Sequence, residues 1–269
     1  MEFAVNYVNN EFNKKYKFDK DIYIKYPGFK PSLKEFKSIP QLDNKLLLHG
    51  IIPSSGSIFD SHLCDDMEYW AKIFKENNNK WVSLHFYYED KFCKLDKIEE
   101  ICYNNIVTIR KLLPDVPILI ENVPYQYEEH NFCFDPKIIS YYCEKYDLGL
   151  LLDIAHLCVY AGNNDLEVDE YLSKLPLNKV REVHISGFYQ DNIGKYIDFH
   201  FECFNKVYEL YEKILNLTDT IEMTTLEYPV YNNVDVVNGY LDNITYEEIY
   251  NLQKSQLNKL KEIYEKCRK

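Results

Sequence analysis

The sequence predicts an α/β protein of the (β/α)8 TIM-barrel class, a single domain over residues 1–269. Three observations predict it. Eight short apolar runs alternate with helical stretches or turns, the count and order that such a barrel requires. The chain has 269 residues, near the roughly 250 typical of the fold. No Gly/Ser/Pro linker, composition shift, repeat or low-complexity tract divides it.

The elements follow in order. Residues 3–7 read as the first strand and 21–26 as the second, stopped by Pro27-Gly28. A short polar segment lies between them, and a weak helix is expected around 32–38. The third strand, 45–50, ends in His49-Gly50. Residues 61–78 carry helical spacing through Leu63, Met67, Trp70, Ala71 and Phe74. The fourth strand, 80–86, delivers His85. An amphipathic helix over 95–113 turns Ile98, Ile101, Cys102, Ile106, Ile109 and Leu112 inward, with Pro114 beyond its end.

The fifth strand, 116–121, closes on Glu121-Asn122. Asp135-Pro136 opens the next helix, with proline at its favoured first position. The sixth strand, 149–153, is apolar until Asp153. A helix around 165–175 follows, then a seventh strand over 180–185 carrying His184. Residues 202–215 read as helix and 221–227 as the eighth strand, closing on Glu227. A long helix over 243–269 ends the chain.

Composition limits the function. Hydrophobic residues make up 46% of the chain, so a large core is available. A net charge of −12 gives no general attraction to nucleic acid or anionic lipid. No apolar run approaches the ~20 residues of a membrane span. The N-terminus lacks the basic-then-apolar pattern of a signal peptide. The eight cysteines are scattered with no Cys-x-x-Cys pair. A reduced, cytoplasmic protein is expected.

The strand ends carry the chemistry. In a parallel barrel the last side chain of each strand reaches the ligand-binding mouth. Here those positions hold His49, His85, Glu121, Asp153, His184 and Glu227. His156, spaced Asp-x-x-His from Asp153, and Asp198-Phe199-His200 are expected in loops at the same mouth. Each alone has an ordinary reading, as a hydrogen-bonded histidine, a salt-bridge partner or a loop cap. Together they are harder to dismiss, because five of the chain's seven histidines sit there and only His62 and His130 fall outside. Unpaired polar groups in one cavity would cost about 1–3 kcal/mol each to desolvate. Metal cations offset that cost. A His/Asp/Glu set without cysteine suits zinc, iron, manganese or cobalt. Nine donors exceed the need of one ion, so two or three are implied.

The ordered set resembles the ligand order of endonuclease IV, a trinuclear zinc enzyme on a (β/α)8 barrel. The flanking stretches are more similar to another branch of that xylose-isomerase-like superfamily, the multinuclear non-heme iron-dependent oxidative enzymes that act on ribosomally made peptides. They include Leu48-His49-Gly50, Val82-Ser83-Leu84-His85, Ile120-Glu121-Asn122-Val123, Gly149-Leu150-Leu151-Leu152-Asp153, Glu182-Val183-His184-Ile185-Ser186-Gly187 and Thr225-Leu226-Glu227. The likeness spans about residues 46–228 and is less clear over the first 45 residues. One departure stands out: the iron oxidases commonly carry Asn where this chain has His156. The histidine completes the endonuclease IV set, so iron and zinc both stay open.

By the resemblance, one ion takes His49, His85 and Glu121. A second takes Glu121, Asp153, His184 and Glu227, with Glu121 bridging. A third takes His156, Asp198 and His200. The resemblance also implies two or three iron ions, with zinc or manganese as alternatives, and oxidation of a cysteine-containing precursor peptide with O2. A substrate thiolate would sit at an open iron position. The barrel uses nearly the whole chain, so peptide recognition is expected to need the N-terminal segment, long loops or a separate leader-peptide-binding helper protein. Membranes and nucleic acids are not expected partners. Asn122, Tyr125 and Phe188 are candidate substrate contacts, and Tyr87, Tyr88, Tyr127 and Tyr189 are further aromatics near the mouth. Two other functions use parts of the same set. A zinc phosphodiesterase acting on abasic DNA fits the ligands but not the charge. A metal-dependent sugar isomerase or epimerase needs only Glu121, Asp153, His184 and Glu227.

Overall fold

The computed structural model describes residues 1–27, 43–50, 56–89, 91, 93–124, 131–228 and 244–269. The helix expected around 32–38 and residues Tyr125, Tyr127 and His130 lie outside them. The elements in chain order are β1 (Glu2–Asn6), α1 (Asn10–Lys15), β2 (Tyr23–Pro27), β3 (Leu46–His49), α2 (Met67–Glu76), β4 (Val82–His85), α3 (Ile98–Leu112), β5 (Ile118–Glu121), α4 (Pro136–Lys145) and β6 (Gly149–Asp153). Then come α5 (Ile154–Asn163), α6 (Val168–Lys174), β7 (Val180–Ile185), β8 (Gly187–Gln190), β9 (Tyr196–Phe201), α7 (Asn205–Leu217), β10 (Met223–Leu226) and α8 (Tyr246–Cys267).

Eight strands form one parallel sheet in the order β3-β2-β1-β10-β7-β6-β5-β4, and β8-β9 form a separate antiparallel hairpin. The eight-stranded sheet curls into a nearly closed TIM barrel with helices between the strands, as the sequence predicts. The remaining seam lies between β3 and β4. The Asn79 side chain bridges it like an extra peptide group. Its Oδ1 accepts from Leu48 N at 3.1 Å, and its Nδ2 donates to the carbonyls of Leu48 and Trp81, both at 3.3 Å. Higher up, Gly50 N donates to Ser83 O, and residues 56–58 pair with the end of β4 through His85 N to Gly56 O and Ile58 N to His85 O.

The interior follows the two-residue period of a strand. Ala4, Tyr23, Leu47, Trp81, Leu119, Leu151 and Met223 form an apolar floor, separate from the larger core between sheet and helices. Two residues further along their strands lie Lys25, His49, Ser83, Glu121, Asp153 and Thr225, all buried. These seven strands are therefore apolar below and polar above, whereas on β7 the residue at floor level, in register with Leu151 and Met223, is the buried Glu182. The floor seals the polar layer from the bottom of the barrel.

Three elements differ from the expectation. The polar segment after β1 is helix α1, capped by Asn9, whose Oδ1 accepts from Phe12 N at 2.8 Å; its main apolar anchor is the buried Phe12. Residues 154–163 form α5 rather than a loop. Ile154 through Ala161 are all buried, so the helix has no polar face and no 3.6-residue alternation to read. Residues 187–201 form a β-hairpin turning at Asp191–Lys195. The predicted helix start at Asp135-Pro136 is found, with Asp135 Oδ1 accepting from Lys137 N at 2.8 Å.

Asn79→Ala strands the buried N–H and carbonyl of Leu48 at the seam. It should lower stability by about 1–3 kcal/mol, read as a lower urea midpoint with an unchanged slope. An unchanged midpoint would show that the seam does not need this bridge.

Candidate metal centre

The nine predicted donors converge above the apolar floor. His49, His85, Glu121 and Asp153 are the last residues of β3, β4, β5 and β6, His184 is the penultimate residue of β7, and Glu227 follows β10. The other three are not in loops, as expected, but on regular elements. His156 lies in the first turn of α5, and Asp198 and His200 lie on β9.

The Asp-x-x-His spacing has a local cause. Asp153 is the N-cap of α5, and its Oδ1 accepts from His156 N at 2.7 Å. That bond fixes the carboxylate and leaves Oδ2 facing the cluster. Asn122 braces the same point. Its Oδ1 accepts from Asp153 N at 2.8 Å and its Nδ2 donates to Asp153 O at 2.9 Å. The Asn122 amide is thus taken up by the backbone beneath the ligands. Phe188 is the other candidate substrate contact among the described residues. It is buried against Phe204 and Tyr196, with ring centroids 5.0 and 6.1 Å away. Tyr87 does sit beside a donor, its ring 6.0 Å from that of His85. Tyr88 is buried, its hydroxyl donating to Cys93 O. Tyr189 packs on Phe199 of the hairpin. His62 is on the surface, paired with Asp65.

Glu121 stands between two groups. Its Oε2 lies 3.1 Å from His49 Nε2 and 3.6 Å from His85 Nε2. Its Oε1 lies 3.4 Å from His184 Nδ1. His184 Nδ1 is also 3.3 Å from Glu227 Oε2 and 3.7 Å from Asp153 Oδ2. On the hairpin side, Asp198 Oδ2 is 3.2 Å from both His156 Nε2 and His200 Nε2. Three groups therefore present donor atoms within 4.8 Å of one another, His49/His85/Glu121, Asp153/His184/Glu227 and His156/Asp198/His200, and a fourth set, Glu121/Asp153/His156, meets the same limit and ties them together. Glu121 Oε2, Asp153 Oδ2 and His184 Nδ1 are buried yet make no directed hydrogen bond. Donor atoms that converge on a shared point rather than on each other fit a metal ion, and a His/carboxylate set fits iron, zinc or manganese.

Electrostatics agree. Burial, reinforced by the Asp198 charge, pushes the Asp153 carboxyl up to about 6. Burial pushes the His85 imidazole down to about 4 and also lowers His49. Against burial, Asp153 and Asp198 hold His156 up at about 10, and Asp198 holds His200 up at about 9. Against burial, the surrounding imidazoles hold Glu121 and Glu227 below the usual carboxylate range. The carboxylates demand positive charge, and imidazole protons meet part of that demand. A divalent ion meets it by displacing those protons.

Several supporting residues escaped the sequence reading. Ser83 Oγ lies 2.7 Å from His49 Nδ1. Below His184, Glu182 Oε1 accepts from Lys25 Nζ at 2.8 Å and Thr225 Oγ1 at 2.6 Å, and Oε2 accepts from Trp81 Nε1 at 2.6 Å. Their signal was the strand period: Ser83 and Glu182 lie two residues before His85 and His184 on the same inward face.

His200 has a left-handed backbone, φ +48°. It lies in a bulge where Gly187–Phe188 of β8 oppose Asp198–Phe201 of β9, leaving Phe199 and His200 unopposed. The bulge re-aims the imidazole toward Asp198.

Fold and site together define a (β/α)8 TIM barrel with a multi-donor mouth. Solved structures share the fold. A xylose isomerase domain protein from Alicyclobacillus acidocaldarius matches 98% of this chain and 99% of its own with a TM-score of 0.67 at 14% identity. A xylose isomerase domain containing protein from Salmonella typhimurium covers 96% and 97% with a TM-score of 0.65 at 12% identity. Among curated sequences, a UPF0276 protein of Psychromonas ingrahamii is 26% identical over 68% of this chain and 69% of its own length. One from Acaryochloris marina is 27% identical over 53% and 55%; the match spans only about half of that relative. The family described as RiPP precursor modification enzyme MbnB/TglH/ChrH matches residues 25–230. The chain belongs to this family of enzymes, which modify ribosomally made precursor peptides. No helix among the described residues is long and apolar enough to cross a membrane.

A left-handed residue with a β-carbon costs about 1–2 kcal/mol. His200→Gly should therefore fold about 1 kcal/mol more stably than His200→Ala in denaturant titration, while both lack the imidazole. Equal stability would remove the strain argument.

Proposed function

We propose that the chain is a multinuclear iron-dependent, O2-using oxidase that modifies a ribosomally made peptide at a cysteine. The observation that carries this reading is the nine-donor mouth, centred on Glu121, in a chain whose family modifies such peptides. His49, His85 and Glu121 would hold one ion, Glu121, Asp153, His184 and Glu227 a second, and His156, Asp198 and His200 a third. Iron there supplies a Lewis-acidic position for a thiolate and electrons for the reduction of O2. The barrel's part is to fix the donors, to keep water out from below through its apolar floor, and to place Tyr87 at the rim beside His85. Among the described residues no cysteine belongs to a donor group. All eight are unbridged, and burial pushes the Cys158 thiol, nearest in sequence to a donor, up to about 12. The partners in this reading are a cysteine-containing precursor peptide and a separate helper protein that binds its leader.

One observation favours a second reading. His156 completes the third donor group, as in the endonuclease IV set, which suits zinc hydroxide chemistry on a phosphodiester. The net charge of −12 opposes a polyanionic substrate. The sugar-isomerase reading leaves His49, His85, His156, Asp198 and His200 without work. The isomerase-like neighbours, at 12–14% identity, share only the fold.

Two experiments test the reading. Metal analysis of protein from iron-supplied cells should find two or three irons per chain; Asp153→Ala should lose the central ion, and His156→Ala mainly the third. Full occupancy in both variants would defeat the ligand assignment. With a cysteine-containing precursor peptide, turnover should stop without O2 and return with O2 only when iron is ferrous. Cysteine-to-serine replacement in the peptide should stop it, whereas Cys158→Ala in the enzyme should not. Undiminished turnover without O2, or cleavage of abasic DNA by the zinc form, would defeat the oxidase reading and leave the barrel and its metal site intact.

A further inference from the structure

The imidazoles of the mouth do not all present the same nitrogen. His49 Nδ1 is engaged by Ser83 Oγ, His156 Nδ1 by Asn122 O at 2.8 Å, and His200 Nδ1 by Glu227 O at 3.1 Å. Each of these rings turns Nε2 to a carboxylate of the cluster; His156 Nδ1 is also 3.5 Å from Glu121 Oε1 and His200 Nδ1 3.4 Å from Glu227 Oε2, but both nitrogens are already engaged by the carbonyls. His85 likewise turns Nε2 toward Glu121. His184 is reversed. Its Nδ1 faces Glu227, Glu121 and Asp153 without a hydrogen bond. Its Nε2 points down into the barrel, 3.2 Å from Glu182 Oε1 and in contact with Lys25 Nζ.

Glu182 is well placed to decide that orientation. It lies two residues before His184 on β7, so both side chains project from the same inward face. Its carboxylate is fully buried and held by three donors, Lys25, Thr225 and Trp81. It cannot swing away from the ring above it. Two arrangements compete at Nε2. Lys25 donating to a bare Nε2 would put the ring proton on Nδ1, where it would block a cation. A ring proton on Nε2 donated to Glu182 leaves Nδ1 bare. A carboxylate behind a metal-binding imidazole commonly sets the tautomer in this way.

We propose that Glu182 is a positioning residue: its carboxylate accepts the Nε2–H of His184 and fixes the ring with Nδ1 bare toward Asp153, Glu121 and Glu227. His184 is then the one imidazole of the five that binds its cation through Nδ1. Lys25 balances the buried charge of Glu182 from below. This inference rests on the metal-centre reading above.

Zinc serves as a diamagnetic probe. In the zinc-loaded wild-type chain, nitrogen-15 spectra of labelled histidine should show four rings bound through Nε2 and one through Nδ1, the last absent from His184→Ala. In Glu182→Gln the Nδ1-bound signal should disappear, and zinc affinity at that position should fall about 10–100-fold. Trp81→Phe removes a hydrogen bond to the same carboxylate from its far side. It should keep both the Nδ1-bound signal and the zinc count, whereas a merely structural role for Glu182 would make the two variants behave alike. The wild-type spectrum decides without any variant: a His184 ring bound through Nε2 overturns the proposal. So does a Glu182→Gln protein that keeps the Nδ1 signal and full zinc. Zinc uptake with an unaltered Glu182→Gln would leave the metal centre standing. A wild-type chain that binds no zinc would overturn the metal centre and this inference together.

Discussion

Four carboxylates drawn together at one end of a parallel barrel set the terms for the rest of this molecule. Glu121, Asp153 and Glu227 are 1%, 0% and 6% exposed, and Asp198 closes over them from the hairpin. Removing an unpaired carboxylate from water costs several kcal/mol. The chain meets that demand with five imidazoles in the same layer and a lysine below them. The polar layer needs a dry base, which the floor of Tyr23, Leu47, Trp81, Leu119, Leu151 and Met223 provides. It also needs donors whose separation cannot drift. Short strands fixed in register on both sides supply that rigidity, and Asn79 carries it across the one seam where the ladder lapses.

Much of this was legible in the sequence, and the reason is geometric. A strand places alternate residues on one face, so an apolar run ending in His, Glu or Asp announces both the strand and the side chain that reaches the mouth. Glu121 and Asp153 are the clearest cases. What was not legible lay where that period does not apply. Helix α5 is buried all round, so its sequence carries no amphipathic signal, and His156 could not be assigned to a helical turn. The hairpin was hidden because its bulge breaks the alternation at Phe199-His200. Asn122 was named only as a candidate substrate contact. Its two hydrogen bonds to the Asp153 backbone on the neighbouring strand depend on a strand pairing that a linear sequence does not display. Lys25 was hidden for the same reason, since its partner Glu182 lies far away in sequence on β7.

The comparisons divide along the same line. Solved neighbours reproduce the barrel at 12–14% identity, which shows that the scaffold tolerates almost complete replacement of its sequence. The family match runs from residue 25 to 230 and so contains all nine donors, from His49 to Glu227. It also begins at Lys25 and contains Glu182, Ser83 and Asn122.

The three donor groups do not rest on equal foundations. The first two stand on barrel strands and share Glu121, whose two oxygens face opposite groups, so a shift of β5 moves both at once. Asp153 adds a second tie, because the oxygen that does not face the cluster caps α5 and thereby sets where His156 begins. The third group depends on more. Asp198 and His200 come from a hairpin outside the barrel, which leans on α5 through Tyr196 against Gly162, where a β-carbon would come within 2.5 Å of the tyrosine ring. Asn163 pairs with the Tyr196 backbone through both its amide groups. His200 reaches back to the barrel by its Nδ1 contact with Glu227 O, from a left-handed backbone that only this local packing holds. The central pair of positions is thus built into the barrel itself. The third is assembled only when the hairpin lies down on α5, so changes in hairpin packing reach the chemistry first through His156, Asp198 and His200.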